Sequence, residues 1–152
     1  MTDYRRFYID GQWVDPQQPQ DCPVINPATE QRIATISLGG PADVDRAVVA
    51  ARRAFEAYAH STVAERSALI GRVLDAYRRR QDEIGAAISE EMGAPLAFAR
   101  RSQAGIGAAH LATMLEVLQT FRFSEERDGM LLLREPVDRK STRLNSSHVR
   151  LS

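Results

Sequence analysis

A helical stretch between Ala104 and Phe121 constrains the fold more than any other feature of the sequence, because it is apolar around most of its circumference. Two adjacent lines of residues follow it at spacings of three and four, and all but one of their members are apolar: Ile106, His110, Met114, Val117 and Phe121, then Leu111, Leu115 and Leu118. A helix on a surface needs only one apolar line. This helix is therefore expected to lie between other elements.

Two further amphipathic helices are predicted before it. The first begins at Pro41, since proline at the first helical position and Asp43 in the first turn fit a helix start. Its apolar stripe consists of residues three or four apart: Val44, Val48, Ala51, Phe55 and Tyr58. The second is predicted to be one long helix, because a near-heptad apolar rhythm continues from Val63 to Ile88 and stops before Gly93.

The remaining segments favour β structure. Residues 7–14 predict a hairpin around Asp10-Gly11, and a Pro-rich connector over residues 15–23 follows it. Residues 24–36 predict two β-prone pieces around an Asn-Pro turn, and residues 129–137 predict a last strand. That last strand is apolar enough to need a sheet, yet the chain offers it only the marginal N-terminal hairpin.

Residues that could carry chemistry form no complete site. His60, His110 and His148 lie far apart, and His110 on the apolar line fits a hydrogen-bonded core histidine better than a catalytic one. Cys22 has no evident base or helix N-terminus beside it. The glycines at 105 and 107 follow no strand and lack a third glycine, so they are not a dinucleotide fingerprint.

Clustered charges are interpreted as solvated surface. The arginine runs at 78–80 and 100–101 fit charged helix faces, and the paired glutamates at 90–91 and 125–126 are helix neighbours that point in different directions. The residues therefore predict no catalytic residue, no cofactor-binding residue and no metal ligand.

Composition restricts the class of protein. With 43% hydrophobic residues, 26% charged residues and zero formal net charge, the 152-residue chain has ordinary globular composition and gives no indication of nucleic-acid or membrane partners. It shows neither a membrane-spanning run nor a signal peptide, and its single cysteine fits a reducing compartment. These features favour a cytoplasmic protein.

The net charge hides a change of composition near residue 138. Residues 1–137 contain 16 arginines, no lysine and 19 acidic residues, whereas residues 138–152 carry a formal +3, include Lys140 and are rich in serine. Composition alone leaves two explanations open: a disordered basic tail, or a segment of different coding origin.

Six motifs, in order, resemble the N-terminal part of the aldehyde dehydrogenase superfamily: YIDGQW at 8–13, INPAT at 25–29, DVDRAV at 43–48, AARRAF at 50–55, EEMG at 90–93 and REPV at 134–137. The resemblance covers residues 7–137, and the arginine-rich body is similar to bacterial members. It implies an α/β fold with a Rossmann-like NAD(P)-binding domain, present here only as its N-terminal part. That part should be mainly helical, with a β-hairpin at its start and a strand at its end.

The resemblance also implies what the complete protein does. In that family a cysteine thiolate attacks an aldehyde, hydride passes to NAD or NADP, and a glutamate activates the water that releases the acid. No position of this chain matches those groups or the family's Pro-Trp-Asn motif, so this chain is expected to bind no cofactor and to be inactive. The full-length protein is expected to form a homo-oligomer.

Residues 138–152 resemble nothing in the family. They look like a peptide translated from sequencing-adapter DNA, which favours an artefact over a native tail. Two functions are carried forward: a fragment of an NAD(P)+-dependent aldehyde dehydrogenase, or a non-catalytic helical module that binds a partner through an exposed apolar face.

Overall fold

The computed structural model describes residues 2–136, which form short strands at both ends and helices between them. The strands are β1 Thr2–Tyr4, β2 Phe7–Ile9, β3 Gln12–Val14, β4 Asp21–Ile25, β5 Arg32–Ser37, β6 Ser124–Arg127 and β7 Met130–Leu133. The helices are α1 Pro41–Tyr58, α2 Val63–Arg79, α3 Gln81–Met92, α4 Leu96–Phe98 and α5 Ala104–Thr120, with a π-helical segment Ala99–Gln103 before α5. The expectation of a mainly helical chain is thus confirmed.

The predicted N-terminal hairpin is confirmed as β2 and β3. The strands pair antiparallel, and Asp10 and Gly11 form the turn with φ of 56° and 76°. Two positive φ angles match the right-handed twist of the strands, and Asp-Gly is a favoured pair for them. Tyr8 and Trp13 lie opposite each other with ring centroids 5.3 Å apart.

The two β-prone pieces around the Asn-Pro turn are also confirmed, as β4 and β5. Strand β5 is central in a three-stranded sheet, parallel to β1 and antiparallel to β4. The side-chain Oδ1 of Asn26 holds the turn by accepting from the backbone N–H of Ala28 at 2.9 Å. The Pro-rich connector is shorter than predicted, because β4 begins at Asp21 and takes Cys22 into the sheet.

Helix α1 begins at the predicted residue. The carboxylate of the buried Asp43 accepts from the N–H of Gly40 at 3.2 Å and of Gln17 at 3.1 Å, so it caps the helix and ties down the preceding connector. The rest of α1 packs mainly against β2. Val44 and Tyr58 of its predicted apolar stripe are 57% and 49% exposed.

The prediction of one long second helix is wrong, because the chain breaks at Arg80 into α2 and α3. Arg80 has φ −109° and ψ 10°, outside helical values, and its guanidinium Nε pairs with Glu83 at 2.9 Å. The arginines before the break lie at the C-terminal end of α2, and Asp82 follows in the first turn of α3. Each charge complements the dipole of its own helix end, so the sequence around Arg80 suits two helix ends better than one helix interior.

Helix α5 is confirmed and packs chiefly against α2. The hydroxyl of Tyr77 on α2 donates to the carbonyl of the buried Ala104 at 2.8 Å. The π-helical segment before α5 packs on α3, where Gly85 lies so close that a Cβ there would be 2.6 Å from the Cα of Arg100. A glycine is therefore needed at this crossing.

The predicted last strand is β7, but it has a partner that the sequence reading missed. Strand β6 pairs with it antiparallel, and Asp128 and Gly129 form the turn with φ of 52° and 76°. Glu125 and Glu126 therefore lie on a strand, so their placement on a helix was wrong. Like Asp10-Gly11, this Asp-Gly pair marks a hairpin turn.

The buried core of the described residues is small. Five apolar residues are buried, and none of the large side chains is fully enclosed: Ala34, Leu74, Ala99, Ala104 and Leu118. Domains that stand alone normally bury several large aliphatic or aromatic side chains. The helices and strands described here are thus assembled around less core than such a domain has.

Candidate functional site

Titratable side chains do not converge on a centre within residues 2–136. No group of three or more histidine, cysteine, aspartate or glutamate residues in this range could hold a metal ion. His60 follows the end of α1 and lies at the surface. His148 falls outside the described residues.

His110 is not the core histidine that its position on the apolar line predicted. Its side chain is exposed on α5, although it belongs to the line that contains Ile106 and Met114. The reason is that this whole line faces away from α2. The side of the helix that contains His110 has no cover among residues 2–136, so the predicted burial of this histidine is wrong.

Cys22 is half-buried in the three-stranded sheet. Its Sγ lies 3.9 Å from the carbonyl oxygen of Pro23, a weak contact, and none of the contacts seen in residues 2–136 brings a histidine to it. A nucleophilic thiolate needs a base, a cation or a helix N-terminus beside it. The geometry gives Cys22 no catalytic surroundings.

The glycines at 105 and 107 occupy the first turn of α5, directly after the π-helical segment and not after a strand. Gly107 lies against the ring of Tyr77, so its missing side chain makes room for α2. In a dinucleotide-binding loop the corresponding glycines let the backbone approach a pyrophosphate. Gly107 therefore serves helix packing, whereas a Cβ at Gly105 would meet only Gln81 Nε2 at 4.0 Å.

The arginine runs are exposed, as the charged-surface interpretation predicted. Arg78, Arg79 and Arg80 lie at the junction of α2 and α3, and Arg100 and Arg101 lie on the π-helical segment. The Arg80–Glu83 pair is 70% and 66% exposed, where an ion pair contributes little to stability.

Ion pairs do fasten the N-terminal strands. The Arg5 guanidinium binds Asp21 through two hydrogen bonds of 2.7 and 2.8 Å, which lower the pKa of that carboxyl. A hydrogen bond from Arg53 on α1 reaches Asp10 at the hairpin turn, and it raises the pKa of the guanidinium. These contacts position the strands and the hairpin relative to their neighbours, and no ligand is needed to explain them.

The feature that distinguishes this molecule is an uncovered apolar surface. We call it the α5 face, and it is formed by four residues of the first apolar line that are 44% to 53% exposed: Ile106, Met114, Val117 and Phe121. The second line packs inward, with Leu118 only 8% exposed. Within residues 2–136, helix α5 is therefore covered on one of the two sides that its sequence predicts to be buried.

The α5 face continues into an aromatic cluster at the end of the helix. The rings of Phe121 and Phe123 meet edge to face with centroids 4.8 Å apart. The guanidinium of Arg66 lies 5.1 Å from the centroid of Phe123, and that of Arg134 lies 5.5 Å from the centroid of Phe121. Arg134 also binds Glu125 at 2.8 Å. An open depression beside these rings is lined by Val117, Thr120 and Arg122 together with the paired Glu125 and Arg134.

The hairpin beyond this cluster extends the exposed apolar area. All four residues of β7 are between 43% and 66% exposed: Met130, Leu131, Leu132 and Leu133. Monomeric proteins rarely expose contiguous apolar patches of this kind, and larger ones normally mark surfaces that another layer covers. No helix within residues 2–136 is long and apolar enough to cross a membrane.

Comparisons with known proteins agree with the motifs. Residues 13–138 match the aldehyde dehydrogenase family. A 3-succinoylsemialdehyde-pyridine dehydrogenase from a Pseudomonas species is 45% identical over 137 residues, which are 90% of this chain and 29% of that protein. A putative aldehyde dehydrogenase from Staphylococcus aureus is 38% identical with the same coverage.

Solved structures give the same result for the fold. An aldehyde dehydrogenase from Bartonella henselae is 38% identical with a TM-score of 0.81, over 82% of this chain and 26% of that one. A mutant of aldehyde dehydrogenase C from Pseudomonas syringae, solved with NAD+ and octanal, is 40% identical with a TM-score of 0.81, over 84% of this chain and 26% of that one. The predicted partial α/β fold is confirmed, because the described elements superpose on about a quarter of these chains.

The extent of the match is as informative as its strength. The chain spans 29% of the length of the curated relatives given above, and the family match covers residues 13–138. Ordered motifs, a matching backbone and sequence identities of 38% to 45% all lead to the same conclusion. This chain belongs to the aldehyde dehydrogenase family and matches part of the length of its members.

Proposed function

We propose that this chain is the N-terminal part of an NAD(P)+-dependent aldehyde dehydrogenase, an enzyme that oxidises an aldehyde to a carboxylic acid. The observation that carries the proposal is the uncovered α5 face in a chain that spans 29% of its relatives' length. The remaining length of such an enzyme supplies the layer that this face needs. The chain's own role is to pack against that layer.

The catalytic groups belong to the remainder of the enzyme. The chain has one cysteine, Cys22, and the strand that contains it brings no base to the thiol. We therefore assign no catalytic, cofactor-binding or metal-binding role to any residue of this chain, and we expect the chain alone to be inactive. The P. syringae relative holds NAD+ and octanal, which supports a nicotinamide dinucleotide and an aldehyde as the ligand classes of the complete enzyme.

The setting of the complete enzyme follows from the same reasoning. We infer a bacterial, cytoplasmic protein that forms a homo-oligomer and has neither nucleic acid nor a membrane as a partner. Composition supports the lack of a nucleic-acid partner, since residues 1–137 hold 16 basic and 19 acidic residues and so carry no excess of positive charge. We further infer that residues 138–152 are foreign to the enzyme.

A chimeric enzyme tests the proposal. Residues 1–137 are joined in frame to the part of the Pseudomonas relative that follows its matched segment, and nicotinamide reduction is measured with NAD+ or NADP+ and a panel of aldehydes. We expect turnover from the chimera and none from residues 1–137 or from the relative's remaining part alone. A chimera with Leu118→Asp serves as the matched control, since a charge in the α2–α5 contact should unfold the graft and abolish turnover.

Two outcomes would contradict the proposal. Turnover by the chain alone at ordinary enzyme rates, roughly 1–10³ s⁻¹, would mean that it contains a catalytic site of its own. A chimera that folds and binds NAD+ but stays inactive, although the intact relative is active, would mean that these residues do not serve as the N-terminal part of such an enzyme.

The alternative is a non-catalytic helical module that binds a partner through the α5 face. The exposure of Ile106, Met114, Val117 and Phe121 favours it, since a docking surface would show the same feature. The two functions differ in the behaviour of the isolated chain. A module stays soluble as a monomer or a defined oligomer, whereas a fragment without its covering layer aggregates through the α5 face.

A further inference from the structure

We draw no further inference here: the strongest candidate, the uncovered apolar surface that continues from helix α5 through the Phe121–Phe123 cluster to strand β7, carries nothing beyond the proposed function because nothing in the structure shows what covers it.

Discussion

The crossing of α3 and the π-helical segment gives the sharpest test of the packing, through the substitution Gly85→Ala. A Cβ at Gly85 would lie 2.6 Å from the Cα of Arg100 and 2.7 Å from its Cγ, whereas non-bonded carbons settle at about 3.5–4.0 Å. The two segments must therefore separate by about 1 Å. Overpacking of this kind costs about 1–3 kcal/mol, and no flexible side-chain end can absorb it, because one of the atoms met is backbone.

A matched control removes the effect of helix propensity. Gly71 also lies within a helix, α2, but nothing approaches within 4 Å of a Cβ there. Both substitutions gain about 1 kcal/mol of helix propensity, so the difference between Gly85→Ala and Gly71→Ala isolates the overpacking term. We expect Gly71→Ala to be stabilising and Gly85→Ala to be less stable than it by about 1–3 kcal/mol.

Two assays measure this difference. In urea unfolding followed by circular dichroism, 1–3 kcal/mol shifts the midpoint by roughly 1 M, given the usual denaturant dependence of small proteins. In limited trypsinolysis, cleavage after Arg100 or Arg101 should be about 5- to 150-fold faster in Gly85→Ala, because cleavage follows the population of the opened state. Equal midpoints and equal cleavage rates for the two variants would refute the close crossing at Gly85.

Three further predictions concern α2 and α5. Tyr77→Phe removes the hydrogen bond to the carbonyl of Ala104 and should cost about 1 kcal/mol of unfolding free energy in urea; no loss would show that the bond is absent. Leu118→Ala should cost about 2–5 kcal/mol, whereas Met114→Ala, at a side chain that is 49% exposed, should cost no more than about 1.5; equal losses would mean that the α5 face is covered. Hydrogen bonds from the backbone and side chain of Thr62 lower the pKa of Glu65, so this contribution to stability is present above the unfolded pKa and is lost as pH falls through the lowered folded value. Glu65→Gln should therefore flatten the acid limb of the stability profile, and an unchanged limb would contradict the capping contact.

Local signals in the sequence predicted most elements of the fold. Asp10-Gly11 identified the first hairpin, and Pro41 with Asp43 identified the start of α1. Both signals are local, because they depend on the backbone angles of a few consecutive residues and not on distant contacts. The same signal at Asp128-Gly129 marked the second hairpin. It was missed because the glutamates before it were assigned to a helix, and the exposed strand β6 has too few apolar residues to show a period of two.

The break at Arg80 was missed for a different reason. A near-heptad rhythm shows which side of a helix faces the core, but it continues across a change of direction when both helices pack on the same neighbour. Helices α2 and α3 both contact α5, so their apolar residues share one register with it. The charges at the break contained the missing information, since a basic helix end followed by an acidic helix start indicates two dipoles.

For the candidate site, the sequence predicted that catalytic residues are absent and that helix α5 is apolar on two sides. That the histidines and Cys22 form no catalytic constellation stays a prediction from their positions in the sequence. The surface was predicted as a helix with two covered sides. Sequence periodicity reports which sides of a helix are apolar, but it does not report which element covers each side. His110 was therefore assigned to a core that residues 2–136 do not provide on that side.

The magnitude of the uncovered area shows why the α5 face matters for the chain as a whole. Full burial of a large apolar side chain is worth about 1.5–3 kcal/mol, and the four residues of the α5 face are each about half exposed. Covering them would therefore add about 3–6 kcal/mol, which is comparable with the entire stability of many domains, about 5–15 kcal/mol. Because residues 2–136 bury so small a core, a cover on the α5 face would contribute a large part of the stability of this arrangement of helices. The same apolar circumference that constrains the fold of α5 is therefore the basis of our proposal that these helices pack against a further layer.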